Sequence, residues 1–260
     1  MSHELIQIEH NGAIATLWLN RPDKHNAFDE HLIAAITNGL DQLAADARVR
    51  VVVLAGRGKS FSAGGDLDWM RRAADYSHEE NLADAQRLAD MLRTLATLPK
   101  PTIARVHGAA LGGGVGLVCA CDIAVASEEA FFATTEVRVG LIPATIGPYV
   151  LRAIGPRQAQ RYFLSAERIN AQRARDIELV HDVVSADTLD AKLDEIAGAL
   201  LACGPQAQAT AKRFVADTAN WPIDAALLAD SVKAIANIRA TDEAREGLSA
   251  FLEKRKANWT

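Results

Sequence analysis

The stretch from Gly108 to Gly116 reads Gly-Ala-Ala-Leu-Gly-Gly-Gly-Val-Gly and holds five of the 17 glycines of the chain. An apolar run typical of a short buried strand, Thr102–Val106, precedes it, and a helix to about Ala120 is predicted after it. The same order of strand, glycine-rich loop and helix occurs about 50 residues earlier, from Val51 to Leu67. This alternation of strands and helices predicts an α/β fold.

The regions on either side of these two units also show clear patterns. Ile6 to Asn20 alternates apolar and polar residues around Asn11-Gly12, which predicts a β-hairpin. Further predicted elements are a helix from about Asp29, a helix from Leu67, a helix that Ser77 and Glu80 cap and that ends before Pro99, and a strand over Ile123–Ala126. Phe131–Val139 is predicted to be a loop or a strand.

The last part of the chain has a different character. From Cys203 onward the sequence is alanine-rich and amphipathic, which predicts helices and no strands. We therefore expect a core that carries the site, residues 1–202, and a C-terminal helical region, residues 203–260.

Composition and charge exclude several classes of protein. With 49% hydrophobic and 23% charged residues, the 260-residue chain is typical of a globular protein with a core built mainly from Ala, Val, Leu and Ile. A net charge of −5 argues against a nucleic-acid partner. The 14-residue uncharged run from Gly108 to Cys121 is shorter than the roughly 20 residues that cross a membrane. An odd cysteine count and the lack of a signal peptide predict a cytoplasmic protein.

The short motifs do not predict a nucleotide, metal or hydrolase site. Gly58-Lys59-Ser60 lacks the first glycine of a phosphate loop, since position 53 is Val. The dinucleotide fingerprint also fails in both glycine loops. Cys119 and Cys121 lack the four ligands of a zinc site and are interpreted as small buried residues. We therefore expect no metal.

The two glycine-rich loops leave two interpretations open. Each opens a helix, where unpaired N–H groups favour negative charge, so two such groups could form an oxyanion hole. Alternatively, the glycines only allow tight strand-to-helix turns. The candidate acid or base is Glu136, whose apolar neighbours would raise its pKa. It could equally form a surface ion pair with Arg138 or Arg152.

Five ordered motifs resemble the enoyl-CoA hydratase/isomerase (crotonase) superfamily over essentially the whole chain. They are Asn20-Arg21-Pro22 with Asn26-Ala27, Ser60-Phe61-Ser62-Ala63-Gly64-Gly65-Asp66-Leu67, Gly108 to Gly114 with Cys121-Asp122-Ile123-Ala124, Glu136 to Pro143, and Phe251 to Lys256. The resemblance implies a spiral of ββα units, a C-terminal helical region used in trimerisation, trimers that often pair into hexamers, and an acyl-CoA thioester substrate.

The resemblance also implies roles for individual residues. Ala63 and Gly113 would supply the oxyanion-hole N–H groups, and Glu136 would transfer the proton. The expected substrate-binding residues are Lys24, His25, Ala27, Ala63, Gly64, Asp66, Leu67, Gly113, Gly116 and Lys254. Lys254 would reach the coenzyme from a neighbouring subunit. No cofactor is expected beyond the coenzyme A of the substrate.

One position departs from the family pattern. Ordinary enoyl-CoA hydratases carry a first glutamate just after the triple glycine, and this chain has Gly116 there. We expect a 2-enoyl-CoA hydratase, in which Glu136 is the matching second glutamate. A Δ3,Δ2-enoyl-CoA isomerase with one glutamate and a non-catalytic acyl-CoA binding protein remain open.

Two stretches favour one branch of the family. Asp66 to Met70 and Glu136 to Ile146 are similar to bacterial methylglutaconyl-CoA hydratases of leucine degradation. A distal carboxylate on such a substrate could bind Arg138 or Arg72.

Overall fold

The computed structural model describes residues 4–259, so the outer ends of the two predicted regions, residues 1–3 and 260, lie outside the described residues. The strands are β1 (Ile6–Asn11), β2 (Ile14–Leu19), β3 (Val51–Gly56), β4 (Thr102–Val106), β5 (Ala109–Leu111), β6 (Ile123–Ser127), β7 (Phe131–Ala133), β8 (Ile169–Asn170) and β9 (Asp182–Val184). A six-stranded sheet has the order β1-β2-β3-β4-β6-β9, and a three-stranded sheet has the order β5-β7-β8. In the larger sheet, all pairs except the β1–β2 hairpin are parallel.

Helices cover the sheets and form the C-terminal region. They are α1 (Glu30–Ala45), α2 (Leu67–Ala73), α3 (His78–Ala96), α4 (Gly113–Ala120), α5 (Gly147–Ser165), α6 (Ala171–Asp176), α7 (Leu189–Leu201), α8 (Pro205–Thr218), α9 (Ala225–Arg239) and α10 (Asp242–Leu252). The prediction of an α/β fold is therefore confirmed. The described residues from 203 onward are helical without strands, while the boundary at residue 203 as a functional division stays a prediction.

The core consists of small and branched aliphatic side chains with a few phenylalanines. β3 is buried along its whole length, as a strand covered on both faces should be. α1 and α3 turn their apolar faces toward the same core, which α4 also enters with Val115 and Leu117. Phe28, Phe61 and Phe132 are the largest fully buried side chains.

Hydrogen bonds join the two glycine-rich loops, which are about 50 residues apart in sequence. The Phe61 N–H donates to the His107 carbonyl oxygen at 3.0 Å, and the Ser62 N–H donates to the Ala109 oxygen at 3.0 Å. The Leu111 N–H returns a bond to the Ser62 oxygen at 2.9 Å. Because β3 and β4 are parallel neighbours, the loops that follow them meet at one edge of the sheet.

Three short strands differ from the sequence prediction. β5 lies inside the glycine cluster that was expected to be a loop, and it forms because Ala109–Leu111 pair with β7. β8 and β9 have two and three residues, too few for a periodic signal, and are held by tertiary pairing alone.

Within residues 4–259, none of the helices is long and apolar enough to cross a membrane.

Candidate active site

In the 62–66 part of the loop after β3, only Gly65 presents a free backbone donor among the described residues, and it is not the predicted residue. The Ala63 N–H already donates to the His25 carbonyl oxygen at 2.9 Å, so the assignment of Ala63 to an oxyanion hole is wrong. Gly65 forms a parallel bridge with Phe28, in which the Gly64 oxygen and the Asp66 N–H make the bonds. This pattern turns the Gly65 N–H away from Phe28, and it has no acceptor among the described residues.

The second loop ends at the N-terminus of α4. Gly112 is the N-cap with φ 49° and ψ −118°, a conformation that needs glycine. The N–H groups of Gly113 and Gly114, the first two helical positions, have no acceptor within residues 4–259. A buried helix start with free donors is suited to binding a developing negative charge.

The two loops are in direct contact. A Cβ atom placed on Gly64 would lie 2.8 Å from the Leu111 carbonyl oxygen and 3.7 Å from the Gly112 Cα. A Cβ atom on Gly113 would lie 2.5 Å from Cε2 of Phe28, the residue that bridges to Gly65. The glycines are therefore required for close backbone approach, so both interpretations of the sequence, tight turns and free donors, apply here.

Glu136 lies directly against the second loop. It begins a 3-10 turn, Glu136–Val139, and its Oε1 is 3.3 Å from the position a Cβ atom on Gly112 would occupy. Its Oε2 is buried without a hydrogen-bond partner. Burial raises the pKa of Glu136 above the ordinary value of 4.5. An unpartnered carboxyl group with a raised pKa beside free N–H donors can accept and return a proton.

Two arginines that were considered for a substrate carboxylate, Arg138 and Arg72, are bonded within the protein. Arg138 donates from Nη2 to the Ala166 carbonyl oxygen at 2.6 Å. Arg72 binds both carboxylate oxygens of Glu30 at 2.7 Å. Arg152 forms no ion pair with Glu136 in the described part of the chain. The interpretation of Glu136 as a surface ion-pair partner is therefore wrong.

Gly116 is packed inside the core and does not open toward the site. A Cβ atom there would overlap the Ile146 side chain and lie 3.5 Å from Leu92 Cδ2. The place where a family hydratase carries its first glutamate is filled by Ile146, which is 1% exposed. Gly116 was predicted to bind substrate, and this packing corrects that prediction.

Introducing the missing carboxylate should therefore destabilise the fold. We expect Gly116→Glu to lower the free energy of unfolding by about 1–3 kcal/mol, because it overfills a packed core. The same change in an Ile146→Gly background should cost less, since the overlapping group is absent there. Urea denaturation of the four proteins measures both effects. An equal cost in the two backgrounds would contradict the described contact between Gly116 and Ile146.

A cavity of about 400 Å³ lies next to the 3-10 turn that starts at Glu136. Its walls come from α2 and its C-cap, from α3, and from the end of the turn and the segment after it: Trp69, Met70, Ala73, Ala74, Asn81, Asp84, Ala85, Leu88, Val139, Leu141 and Thr145. It also adjoins Gly65, since a Cβ atom there would lie 3.4 Å from Met70 Sδ and Trp69 Cζ3. Sequence reasoning missed this cavity, because its walls come from three separate segments.

Asp66 was predicted to bind substrate, but its carboxylate is occupied by the protein. Its side chain accepts from Arg21 at 3.0 Å and Lys24 at 3.1 Å, and it caps α2 through the N–H groups of Asp68 and Trp69. These bonds hold the pKa of Asp66 at about 2, although burial opposes the shift. Asp66 therefore fixes the loop that presents Gly65.

The remaining predicted coenzyme residues surround the same loop. Lys24 is partly exposed beside Asp66, and Leu67 is 70% exposed. His25 has a left-handed backbone, and its Nδ1 is 3.0 Å from Ser60 Oγ. Ala27 is buried, and its N–H and carbonyl oxygen are bonded to Lys24 and Arg21. Gly64, also left-handed, packs against Leu111 rather than facing open space.

Lys254 lies in the C-terminal region, and the hydrogen bonds that hold this segment are made to other residues of that region. Its N–H donates to the Phe251 oxygen, and the following Arg255 binds Glu246. Trp259 Nε1 donates to the Ala202 oxygen at 2.9 Å. A role at the site would require a second subunit, as the sequence prediction assumed, and that role stays a prediction.

Two polar residues that support the site had no role assigned from sequence. Asn26 is fully buried and left-handed, and it donates to the Arg57 and Ser60 oxygens at 2.9 and 2.8 Å. Arg21 donates to the Ala27 oxygen at 2.7 Å. The motif Asn20-Arg21-Pro22 with Asn26-Ala27 was the available signal, and its bonds hold this segment against the loop after β3.

Comparison with known proteins agrees with the fold. The enoyl-CoA hydratase/isomerase family model matches residues 9–260. The crotonyl-CoA hydratase of Syntrophomonas wolfei subsp. wolfei is 34% identical over 261 residues, covering 100% of this chain and 99% of that protein. The 2,3-dehydroadipyl-CoA hydratase of Escherichia coli (strain K12) is 34% identical over 244 residues, covering 93% of each chain.

Solved structures give the same result. The crystal structure of an enoyl-CoA hydratase from Shewanella pealeana superposes with a TM-score of 0.96 at 44% identity, covering 98% of this chain and 96% of that one. A fold and site of this kind define an enzyme of the crotonase superfamily. This chain belongs to the enoyl-CoA hydratase/isomerase family.

Proposed function

We propose that the protein hydrates a 2-enoyl-CoA thioester through an enolate held by the Gly65 and Gly113 N–H groups. The observation that carries this proposal is the buried, unpartnered Oε2 of Glu136 beside the free donors of α4. In the proposed reaction Glu136 takes a proton from water while the oxygen of that water bonds to C3. Glu136 then returns that proton to C2, so one molecule of water is added and no cofactor is needed beyond the coenzyme A of the substrate.

A methylglutaconyl-CoA-like acyl group is the favoured substrate of this proposal. Two sequence stretches are similar to bacterial methylglutaconyl-CoA hydratases, Asp66 to Met70 and Glu136 to Ile146, and both flank the cavity beside the site. The cavity can take a short branched chain. A panel of enoyl-CoA esters, with products identified by mass spectrometry, tests both the reaction and the acyl group.

An isomerase is the second candidate, and a specific observation favours it. Ile146 occupies the place of the first family glutamate, so a single carboxylate serves the site. One carboxylate suffices to move a proton from C4 to C2 of a 3-enoyl-CoA. A 3-enoyl-CoA in the same panel distinguishes the two activities, and binding without turnover of any ester would indicate a non-catalytic acyl-CoA binding protein.

As pH is lowered, activity should fall at a pH above 4.5, the ordinary pKa of a glutamate. Glu136 acts as a base only when ionised, and its pKa is raised above 4.5. The acidic limb of kcat/KM should therefore lie above pH 4.5 and should disappear in the residual activity of Glu136→Gln. A pH profile of both proteins measures this, and an acidic limb at or below pH 4.5 would contradict the assignment.

The same group should make stability depend on pH. The raised pKa of Glu136 means that the folded protein favours its protonated over its ionised form. The protonated carboxyl group therefore supports the fold at low pH, and this contribution to the free energy of unfolding is lost as pH rises through the raised pKa. Glu136→Gln should therefore melt higher than the unchanged protein at pH 8, with a smaller difference near pH 4. Scanning calorimetry at the two pH values provides the measurement.

We also propose self-association into a homotrimer or hexamer through the C-terminal helices. These helices and the connection between α8 and α9 carry exposed apolar side chains: Val215, Ile223, Leu228, Val232, Ile235, Leu248, Phe251 and Leu252. Exposed apolar surface of this extent marks an interaction site. Light scattering gives the mass in solution.

A further inference from the structure

Trp69 lies between the loop that presents Gly65 and the cavity. Its Cζ3 would be 3.4 Å from a Cβ atom on Gly65, the proposed oxyanion donor. The same indole forms part of the wall of the 400 Å³ cavity, together with Leu88 of α3 and Leu141. An acyl chain that extends from a carbonyl bound to Gly65 would therefore run along this side chain first.

Trp69 is held at both ends. Its backbone N–H donates to Asp66 Oδ1 at 3.3 Å, within the cap of α2. Its indole Nε1 donates to Asp84 Oδ1 at 3.3 Å. Arg87 binds the same oxygen of Asp84 at 2.6 Å. The indole is therefore a fixed wall rather than a side chain free to swing aside.

Asp84 occupies a position that an aliphatic residue would ordinarily fill. It is 8% exposed and lies on the buried face of α3 with Met91, Leu92 and Leu95. Burying a carboxylate is costly unless it is paired and hydrogen-bonded. Its partners here are Arg87 and the indole of Trp69.

We propose that Trp69 is the specificity-determining residue for acyl-chain length, with Asp84 as its positioning residue, and that the site therefore accepts short acyl chains. This inference rests on the proposed acyl-CoA site. A fixed indole along the first part of the acyl chain limits how the chain can bend into the cavity, which favours a short or branched chain over a long one.

Dissociation constants of butyryl-CoA and decanoyl-CoA, with kcat/KM for crotonyl-CoA and 2-decenoyl-CoA, test the proposal. Trp69→Ala should shift both ratios toward the long chain by at least about tenfold, the effect of one or more accommodated methylenes. Trp69→Phe, which preserves most of the packing, should give a smaller shift in the same direction. Circular dichroism confirms that each variant is folded.

The positioning role of Asp84 has a matched control on the same helix. Asp90 pairs with Arg93 at 3.1 Å with the same i,i+3 spacing, and it does not line the cavity. Asp84→Leu, which removes the acceptor of the indole N–H, should shift the ratios toward the long chain. Asp84→Asn, which keeps an acceptor oxygen, should restore most of the short-chain preference, and Asp90→Leu should leave it unchanged.

The outcomes separate the two proposals. Unchanged chain-length ratios in both Trp69 variants would overturn the inference, whether or not hydration is seen. Equal shifts for Asp84→Leu and Asp90→Leu would overturn the positioning role. Turnover of no enoyl-CoA ester by the unchanged protein, with the binding ratios shifted as expected, would refute the proposed reaction and leave the chain-length inference standing.

Discussion

Glu136→Gln should lower kcat for hydration by at least about 100-fold, the typical contribution of a positioned acid or base. The substitution keeps the shape of the side chain but removes its ability to take a proton from water. Because Glu136 Oε2 has no partner in the described structure, no ion pair is broken by the change. Steady-state kinetics with the best ester of the panel measure the effect.

A nearby glutamate provides the control for this experiment. Glu129 is exposed and lies seven residues earlier, before β7. Glu129→Gln removes one negative charge from the same region and should leave kcat within twofold of the unchanged value, on the order of the small effects of surface substitutions. Near-normal turnover by Glu136→Gln would remove Glu136 from the reaction.

Gly113→Pro should lower kcat by about 100- to 1,000-fold, because it deletes one proposed oxyanion donor. Proline is tolerated at the first position of a helix, which Gly113 occupies in α4. The preceding Gly112 has ψ −118°, outside the α region that a following proline disfavours. Kinetics and binding of a saturated acyl-CoA together separate a loss in the transition state from a loss of affinity.

Gly113→Ala is the matched control for the proline variant. Its Cβ atom meets the same Phe28 ring, at 2.5 Å from Cε2, but its backbone N–H remains. The difference between the two variants therefore isolates the N–H group from the steric cost. Equal kcat values for Gly113→Pro and Gly113→Ala would show that this donor does not act in catalysis.

The sequence was sufficient for elements with strong local signals. The hairpin around Asn11-Gly12 is present, and Ser77 and Glu80 form the predicted capping box of α3. β8 and β9 could not be predicted, because strands of two and three residues depend on tertiary partners for their hydrogen bonds. Local periodicity carries no information about such pairing.

The site could be predicted only in part for a similar reason. The apolar neighbours of Glu136 correctly indicated a raised pKa. The choice between Ala63 and Gly65 as donor depends on which N–H the His25 carbonyl oxygen already binds, which is a contact across 38 positions of the chain. The filling of the Gly116 position by Ile146 is also a tertiary contact without a local signal.

In the proposed reaction, one carboxylate, Glu136, serves the addition of water to a 2-enoyl-CoA ester. The most direct test is mass spectrometry of the products from a mixed panel of 2-enoyl- and 3-enoyl-CoA esters in ¹⁸O-labelled water. We expect the unchanged protein to form 3-hydroxyacyl-CoA that carries one ¹⁸O atom, and Glu136→Gln to form it at least about 100-fold more slowly. Isomerised esters without ¹⁸O, or no product from any ester, would contradict the proposed reaction.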